Sequence, residues 1–205
     1  MKNNFILFYF LFLFCFCSCE KAEKPDLPPK SGTYLSSYLT KFQTIEIEPI
    51  RNGKSFYVQF HLIGEYAIYN SPLFRQISES YKDTGYSDYP LPTSIPALSD
   101  SIKSIHIYTL KDFNETYKKN DKIDDLVKIE YKSFYEFIES HYQNDSGIDN
   151  FIFLNDFNRK TTKLFFPGFY FHFIELPSVP GIYTLKIEVE TYSDFIESQF
   201  NININ

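Results

Sequence analysis

The chain of 205 residues has no tryptophan, one methionine, seven glycines and three cysteines. Each shortage excludes something. Cys15, Cys17 and Cys19 all lie near the N-terminus, so residues 20–205 can form no disulfide and offer no cysteine nucleophile. Scarce glycine leaves no phosphate-cradling loop and no Gly-x-Ser-x-Gly elbow with its oxyanion hole. There is also no basic excess: the net charge is −6, the wrong sign for a nucleic-acid binder. With 43% hydrophobic and 22% charged residues, the chain can build a core and is not a collagen, coiled coil or disordered polyelectrolyte. Its length suits one domain with appendages.

Aromatic residues are what it has in plenty, 23 Phe and 17 Tyr. They stand beside 22 Ile, 13 Asn and 17 Lys against three Arg and three Ala, the bias that an AT-rich coding sequence produces whatever the function. Aromatic content is therefore not in itself a sign of a ligand platform, although Phe and Tyr favour strands and fill a core with few residues.

Lys2 opens a short basic region, and Phe5 to Cys17 is an unbroken apolar run of thirteen residues. That is shorter than the ~20 residues of a transmembrane helix and suits a secretory signal. Of the three cysteines only Cys19 follows a small residue, Ser18. Phe16-Cys17-Ser18-Cys19 resembles a bacterial lipobox, with Phe16 where a leucine-like residue is usual. The resemblance implies cleavage before Cys19 and lipid attachment to it. The expected organisation is a signal peptide at 1–18, an acylated tether at 19–33 and a folded domain at 34–205. Glu20 to Lys30, EKAEKPDLPPK, is charged and proline-rich without apolar periodicity, as a tether requires. Its acidic residues resemble the surface-export signal of Bacteroidetes lipoproteins, diluted by Lys21 and Lys24. Losing 1–18 removes only one basic side chain, Lys2, so the mature chain is acidic and would reach the outer membrane through its lipid rather than a basic patch. It would face the periplasm or the cell surface.

Beyond the tether the pattern is that of short strands. Thr44 to Ile50 alternates, and Phe56, Val58, Phe60 and Leu62 continue on one face after Asn52-Gly53, a hairpin turn signal. Gly64 suggests a bulge in the second strand that swaps its faces. Asn70 to Ser101 has no periodicity and holds Pro72, Pro90, Pro92 and Pro96 with Tyr81, Tyr86 and Tyr89. A connection this long is functional, mobile, or carries a short helix near Leu73 to Tyr81. Ile102 to Leu110 reads as a strand. Ser133 and Glu136 form a capping-box pattern ahead of one short helix, 134–142, with Phe134, Phe137, Ile138 and His141 on one face. Phe151 to Leu154, Thr162 to Phe166 and Phe169 to Glu175 are apolar runs. Tyr183, Leu185, Ile187 and Val189 then alternate strictly with polar partners, and Ile196 to Ile204 follows. Seven to nine strands with one inserted helix point to a two-sheet sandwich.

Pro180-Gly181-Ile182-Tyr183-Thr184-Leu185 resembles the opening of the penultimate strand of immunoglobulin-like domains, where a corner tyrosine bonds back to the backbone. With the lipobox-like start and Ile105 to Asn114, the chain resembles uncharacterised Bacteroidetes cell-envelope lipoproteins with an immunoglobulin-like domain. That resemblance implies an immunoglobulin-like β-sandwich and transfers no catalytic residues.

No chemistry is advertised. His61, His106 and His172 sit singly in strands and His141 on the helix, which reads as isolated rings rather than a metal centre. Asp121, Asp124 and Asp125, and Asn144, Asp145 and Asp149, match no calcium loop and read as solvated turns. A carboxylate pair for glycoside hydrolysis meets only in space and stays open. No cofactor is implied. Three classes remain: a non-catalytic binding or structural module of the envelope, which the sequence favours; a glycan-capturing accessory lipoprotein; and an enzyme such as a hydrolase. The expected partners are the membrane through Cys19 and an envelope protein or a glycan. The expected contact surface is the 70–101 connection, with Tyr81, Tyr86 and Tyr89 as rigid amphipathic anchors, the alternative being that these rings fold back to cover a sheet edge. Asp100-Ser101-Ile102 resembles the short O-glycosylation motif of exported Bacteroidetes proteins, which makes Ser101 a modification candidate.

Overall fold

The structure is a computed structural model and describes residues 32–52, 55–87 and 94–204. Cys19, the signal peptide, Tyr89 and the tether up to residue 31 lie outside the described residues.

Strands β1 (Ser37–Asn52) and β2 (Ser55–Ile68) pair antiparallel, with Asn52 opposite Ser55. The pairing leaves a two-residue connection where Asn52-Gly53 predicts the turn. The irregularity expected in β2 falls on β1 instead. Its register shifts between Leu39 and Lys41 and again between Phe42 and Thr44, each inserting one residue, so Leu39, Phe42, Ile45 and Ile47 all reach the same core. β2 keeps its phase, with Val58, Phe60, Leu62 and Tyr66 on that one side. Gly64 is required for another reason: a Cβ there would lie 1.8 Å from the Lys41 carbonyl oxygen.

Seven more strands follow: β3 (Pro96–Leu98), β4 (Ile102–Thr109), β5 (Val127–Lys132), β6 (Asp149–Phe153), β7 (Gly168–Phe173), β8 (Gly181–Thr191) and β9 (Phe195–Ile204). They form a six-stranded sheet in the order β3-β1-β2-β7-β5-β6 and a three-stranded sheet in the order β4-β8-β9. The fold is mainly β, two sheets sharing one core in the manner of a β-sandwich. Phe60 of the first sheet, packed against Phe169 and Phe171, meets Phe200 of the second, with the Phe60 and Phe200 rings 5.4 Å apart. The alternation of β8 holds throughout, since Tyr183, Leu185, Ile187 and Val189 are all buried. Each such side chain contributes about 1.5–3 kcal/mol by leaving water. The Tyr183 hydroxyl donates to the Val179 carbonyl at 2.8 Å, the back-bond expected of a corner tyrosine.

Helical pieces are more numerous than expected: α1 (Pro72–Ser80), α2 (Tyr135–Glu139), α3 (Leu154–Phe157) and a 3-10 turn at Asp124–Leu126. α1 starts because Ser71 Oγ accepts from the Phe74 amide and Pro72 enters with a preset φ. α2 lacks the expected capping box. Ser133 Oγ donates to the Lys163 carbonyl, Phe134 is the N-cap, and His141 leaves the helix in a left-handed conformation with φ 56°. Thr162 to Phe166 is no strand but a crossing segment. It bridges singly to Ile102 and to Ser133, and its neighbours Leu164 and Phe165 are buried in different cores.

That second core lies against the outer face of the six-stranded sheet near one end. Leu35, Tyr38, Ala67, Phe74, Ala97, Phe134, Ile138 and Leu164 build it from β1, β2, β3, α1, α2 and the crossing segment. It covers Tyr38 and Ala67 but stops short of the other end of β2, leaving the outer face of β2, β7, β5 and β6 open.

Candidate functional site

On the open stretch, alternation and register assemble side chains into rows. Tyr57, His172, Lys128 and Phe153 stand opposite one another across β2, β7, β5 and β6, and the next row is Gln59, Tyr170, Glu130 and Phe151. β1 extends these rows with Ile50 and Glu48. The aromatic rings form a continuous patch. Tyr57 stacks on His172 with centroids 5.4 Å apart, Phe151 meets His172 edge-on at 5.1 Å, and Tyr57 meets Tyr170 at 5.9 Å. Phe151 is 53% exposed and Phe153 40%, values that core-forming phenylalanines do not show. Lys128 lies over both rings, its ammonium 5.1 Å from one centroid and 4.8 Å from the other.

Beside the patch is an open groove of about 250 Å³ lined by Gln59, His61, Glu130, Lys132, Asp149, Phe166, Gly168 and Tyr170, with Tyr131. Gly168 keeps it open, because a Cβ there would lie 2.9 Å from the Phe166 ring and 3.2 Å from His61 Nδ1. Its one lysine is matched by an acid, and Glu130 has a hydrogen-bond partner in His172. Lys132 Nζ lies 2.9 Å from Asp149 Oδ1, and His172 Nε2 lies 2.8 Å from Glu130 Oε2. The Gln59 amide and the His61 ring nitrogens have no hydrogen-bond partner among the described residues. A second open groove of about 250 Å³ shares Tyr131 with the first and is lined by polar groups that include Ser133, Asn150, Thr161 and Lys163.

No family model, no curated protein and no solved structure matches this chain. The geometry alone therefore carries the functional reading.

The residues singled out in the sequence go elsewhere. Tyr81 is partly buried beside α1, and its hydroxyl donates to the Ser99 carbonyl at 3.0 Å. Tyr86 is buried against Tyr34 and Tyr142, with centroids 5.1 Å from each. Ser101 is partly buried; its amide donates to Asp100 Oδ1, and the other carboxylate oxygen of Asp100 accepts from the Ser193 amide and hydroxyl.

Two buried acids do structural work. Asp83 accepts from the Tyr34 and Leu35 amides and from the Tyr142 hydroxyl, so it ties the segment after α1 to the chain entering β1. Burial raises its pKa above that of an ordinary aspartate, and burial, with the Asp83 charge, raises Tyr142 too. Asp124 bonds His106 Nδ1 at 2.7 Å, which has the form of an acid–base dyad. Its other oxygen, however, accepts from the Ile107 amide, while Asn158 bonds both the amide and the carbonyl of Ile105. Together these side chains satisfy the free edge of β4 as a neighbouring strand would. Among the described residues, no group of three His, Cys, Asp or Glu is placed to hold a metal.

The open face has a signal in the sequence. Tyr57, Gln59 and His61, and Tyr170 and His172, are aromatic and polar residues out of phase with the core series Val58, Phe60, Phe169 and Phe171. Such residues on the wet side of a strand mark a surface that is not only solvated.

Proposed function

We propose that this protein is a lipid-anchored, non-catalytic binding module of the outer membrane, built on an immunoglobulin-like sandwich, and that it meets its partner on the open outer face of the six-stranded sheet. The observation that carries this is the patch in which half-buried Tyr57, Tyr170 and His172 adjoin exposed Phe151 and Phe153 beside a polar groove. Exposed apolar area gathered into one rimmed patch is characteristic of interaction surfaces. The 70–101 connection is a weaker choice, because Tyr81 and Tyr86 already have packing and hydrogen-bond partners within the fold.

Strand order supports the immunoglobulin-like reading. Lettered along the chain with β3 and β6 set aside as additions, β1-β2-β7-β5 corresponds to strands A-B-E-D and β4-β8-β9 to C-F-G. Tyr183 then opens strand F and makes the corner bond. Anchoring is supported by Ser18-Cys19 behind the apolar run. A non-catalytic role is supported by Asp83 and Asp124, whose carboxylates hold backbone amides rather than a nucleophile.

Mass spectrometry of membrane-extracted protein should find an acylated Cys19 as its first residue, and Cys19→Ala should leave the membrane fraction. Wild-type protein missing from that fraction overturns the anchor. A photo-crosslinking residue in place of Phe151 should capture an envelope component, whereas one in place of Gln199, on the other sheet, should not. Equal capture at both positions overturns the assignment of the face.

A further inference from the structure

We infer that the ligand of the open face is a neutral glycan, one sugar ring seated in the groove lined by Phe166 and Tyr170 and its neighbours running over the aromatic patch. This rests on reading that face as the binding surface. Three features of the face select this chemistry.

First, a sugar ring has an apolar C–H face and a polar rim, and the face offers both complements side by side. Tyr170, Tyr57 and Phe151 present ring surface, while Gln59, His61, Glu130 and Asp149 present hydrogen-bonding atoms. Second, those polar atoms are unspent. Gln59 and His61 have no hydrogen-bond partner among the described residues, and each partnered carboxylate keeps one oxygen out of its contact, Oε1 of Glu130 and Oδ2 of Asp149. An apolar ligand would bury these groups unsatisfied, at about 1–3 kcal/mol each. Third, the groove's one lysine, Lys132, is paired with Asp149, Glu130 adds a further carboxylate, and Glu46 and Glu48 border it on β1 opposite His61 and Gln59. An anionic polymer would meet uncompensated negative charge, while an uncharged polyol would not.

Gly168 is central to the seat. Any side chain there would drive the Phe166 ring away, because a Cβ already lies 2.9 Å from it.

The test uses the full chain in a detergent without sugar groups, run by affinity electrophoresis against mannan, xylan, mixed-linkage β-glucan and starch, with polygalacturonate and heparin as acidic counterparts. At least one neutral polymer should retard the protein. Tyr170→Ala should weaken that binding about tenfold, the loss of one ring-stacking contact with its hydrogen bonds. Gln59→Ala should weaken it several-fold, and Gln199→Ala on the opposite sheet should leave it unchanged. Should the alanine variant lose its fold, Tyr170→Leu keeps the bulk without the aromatic face and carries the same expectation. No retardation by any neutral polymer, retardation by the acidic ones alone, or full binding by a folded Tyr170→Ala or Tyr170→Leu overturns the inference. If the panel is blank while a crosslinker at Phe151 captures an envelope protein, the glycan is wrong and the binding face stands. If both fail, both are wrong.

Discussion

The outer face of the six-stranded sheet is two surfaces made from the same types of residue. At one end Tyr38 lies under a cover that α1, α2 and the loops around them build with Phe74, Phe137, Tyr34, Tyr86 and Tyr142. At the other, no helix covers Tyr57, Tyr170 and His172, which are half-buried by one another, or Phe151 and Phe153, which are exposed. Composition does not separate them, since both draw on the same aromatic excess. What differs is whether the chain returns over them. A ring that the chain covers contributes to stability, and a ring that it leaves uncovered remains free to bind.

That difference can be broken most strongly at Phe74, which is 1% exposed and packs 5.3 Å from Tyr38 and from Tyr69. Phe74→Ala should cost about 3–5 kcal/mol in chemical denaturation, the usual result of emptying an aromatic site in a core. A loss below about 1 kcal/mol would mean that the covering layer adds little to the fold.

A smaller effect is expected at Tyr142. Tyr142→Phe keeps the ring contacts but takes one donor from the buried Asp83, at about 1–3 kcal/mol. The pH dependence carries a signature as well. The folded pKa of Asp83 is raised by burial above the ordinary 3.8, so the folded state holds this proton more tightly than the unfolded chain. Its contribution to stability is then greatest in acid, falls as pH rises from about 3.8 through the raised value, and is flat above it. Tyr142→Phe removes a donor that favours the ionised form, so the fall should extend to higher pH. Melting curves across this range that superimpose for the two proteins, after a constant offset, would show that the hydroxyl does not govern Asp83.

The smallest effect belongs to the open region. Phe151→Ser should change stability by no more than about 0.5 kcal/mol, as expected of an exposed side chain. A loss near that of Phe74→Ala would make the open patch a second core and end the contrast.

Much of the frame was legible in the residues because its signals are local. The Asn52-Gly53 turn, the alternation in β2 and β8, and the Ser71-Pro72 start of α1 each depend on neighbours in the chain. β5 was missed, although Val127, Ile129 and Tyr131 alternate with Lys128, Glu130 and Lys132, a short pattern directly after an acidic turn. The capping box failed because Ser133 found the Lys163 carbonyl, thirty residues away, and local pattern carries no warning of such a competitor. Thr162 to Phe166 reads as a strand because it is apolar, yet it is apolar because two cores flank it.

By itself, then, the sequence determined the lipobox-like N-terminus, a mainly β chain and the inward phase of its longest strands, since periodicity and turn chemistry act over a few residues. Only the tertiary structure decided which aromatic residues are core and which are surface. The rings are alike; the return of α1 and α2 over one end of the sheet, and not the other, comes from contacts between residues far apart in the chain. The same long-range register sets Tyr57 beside His172 and His172 beside Phe151, a juxtaposition that no local pattern encodes.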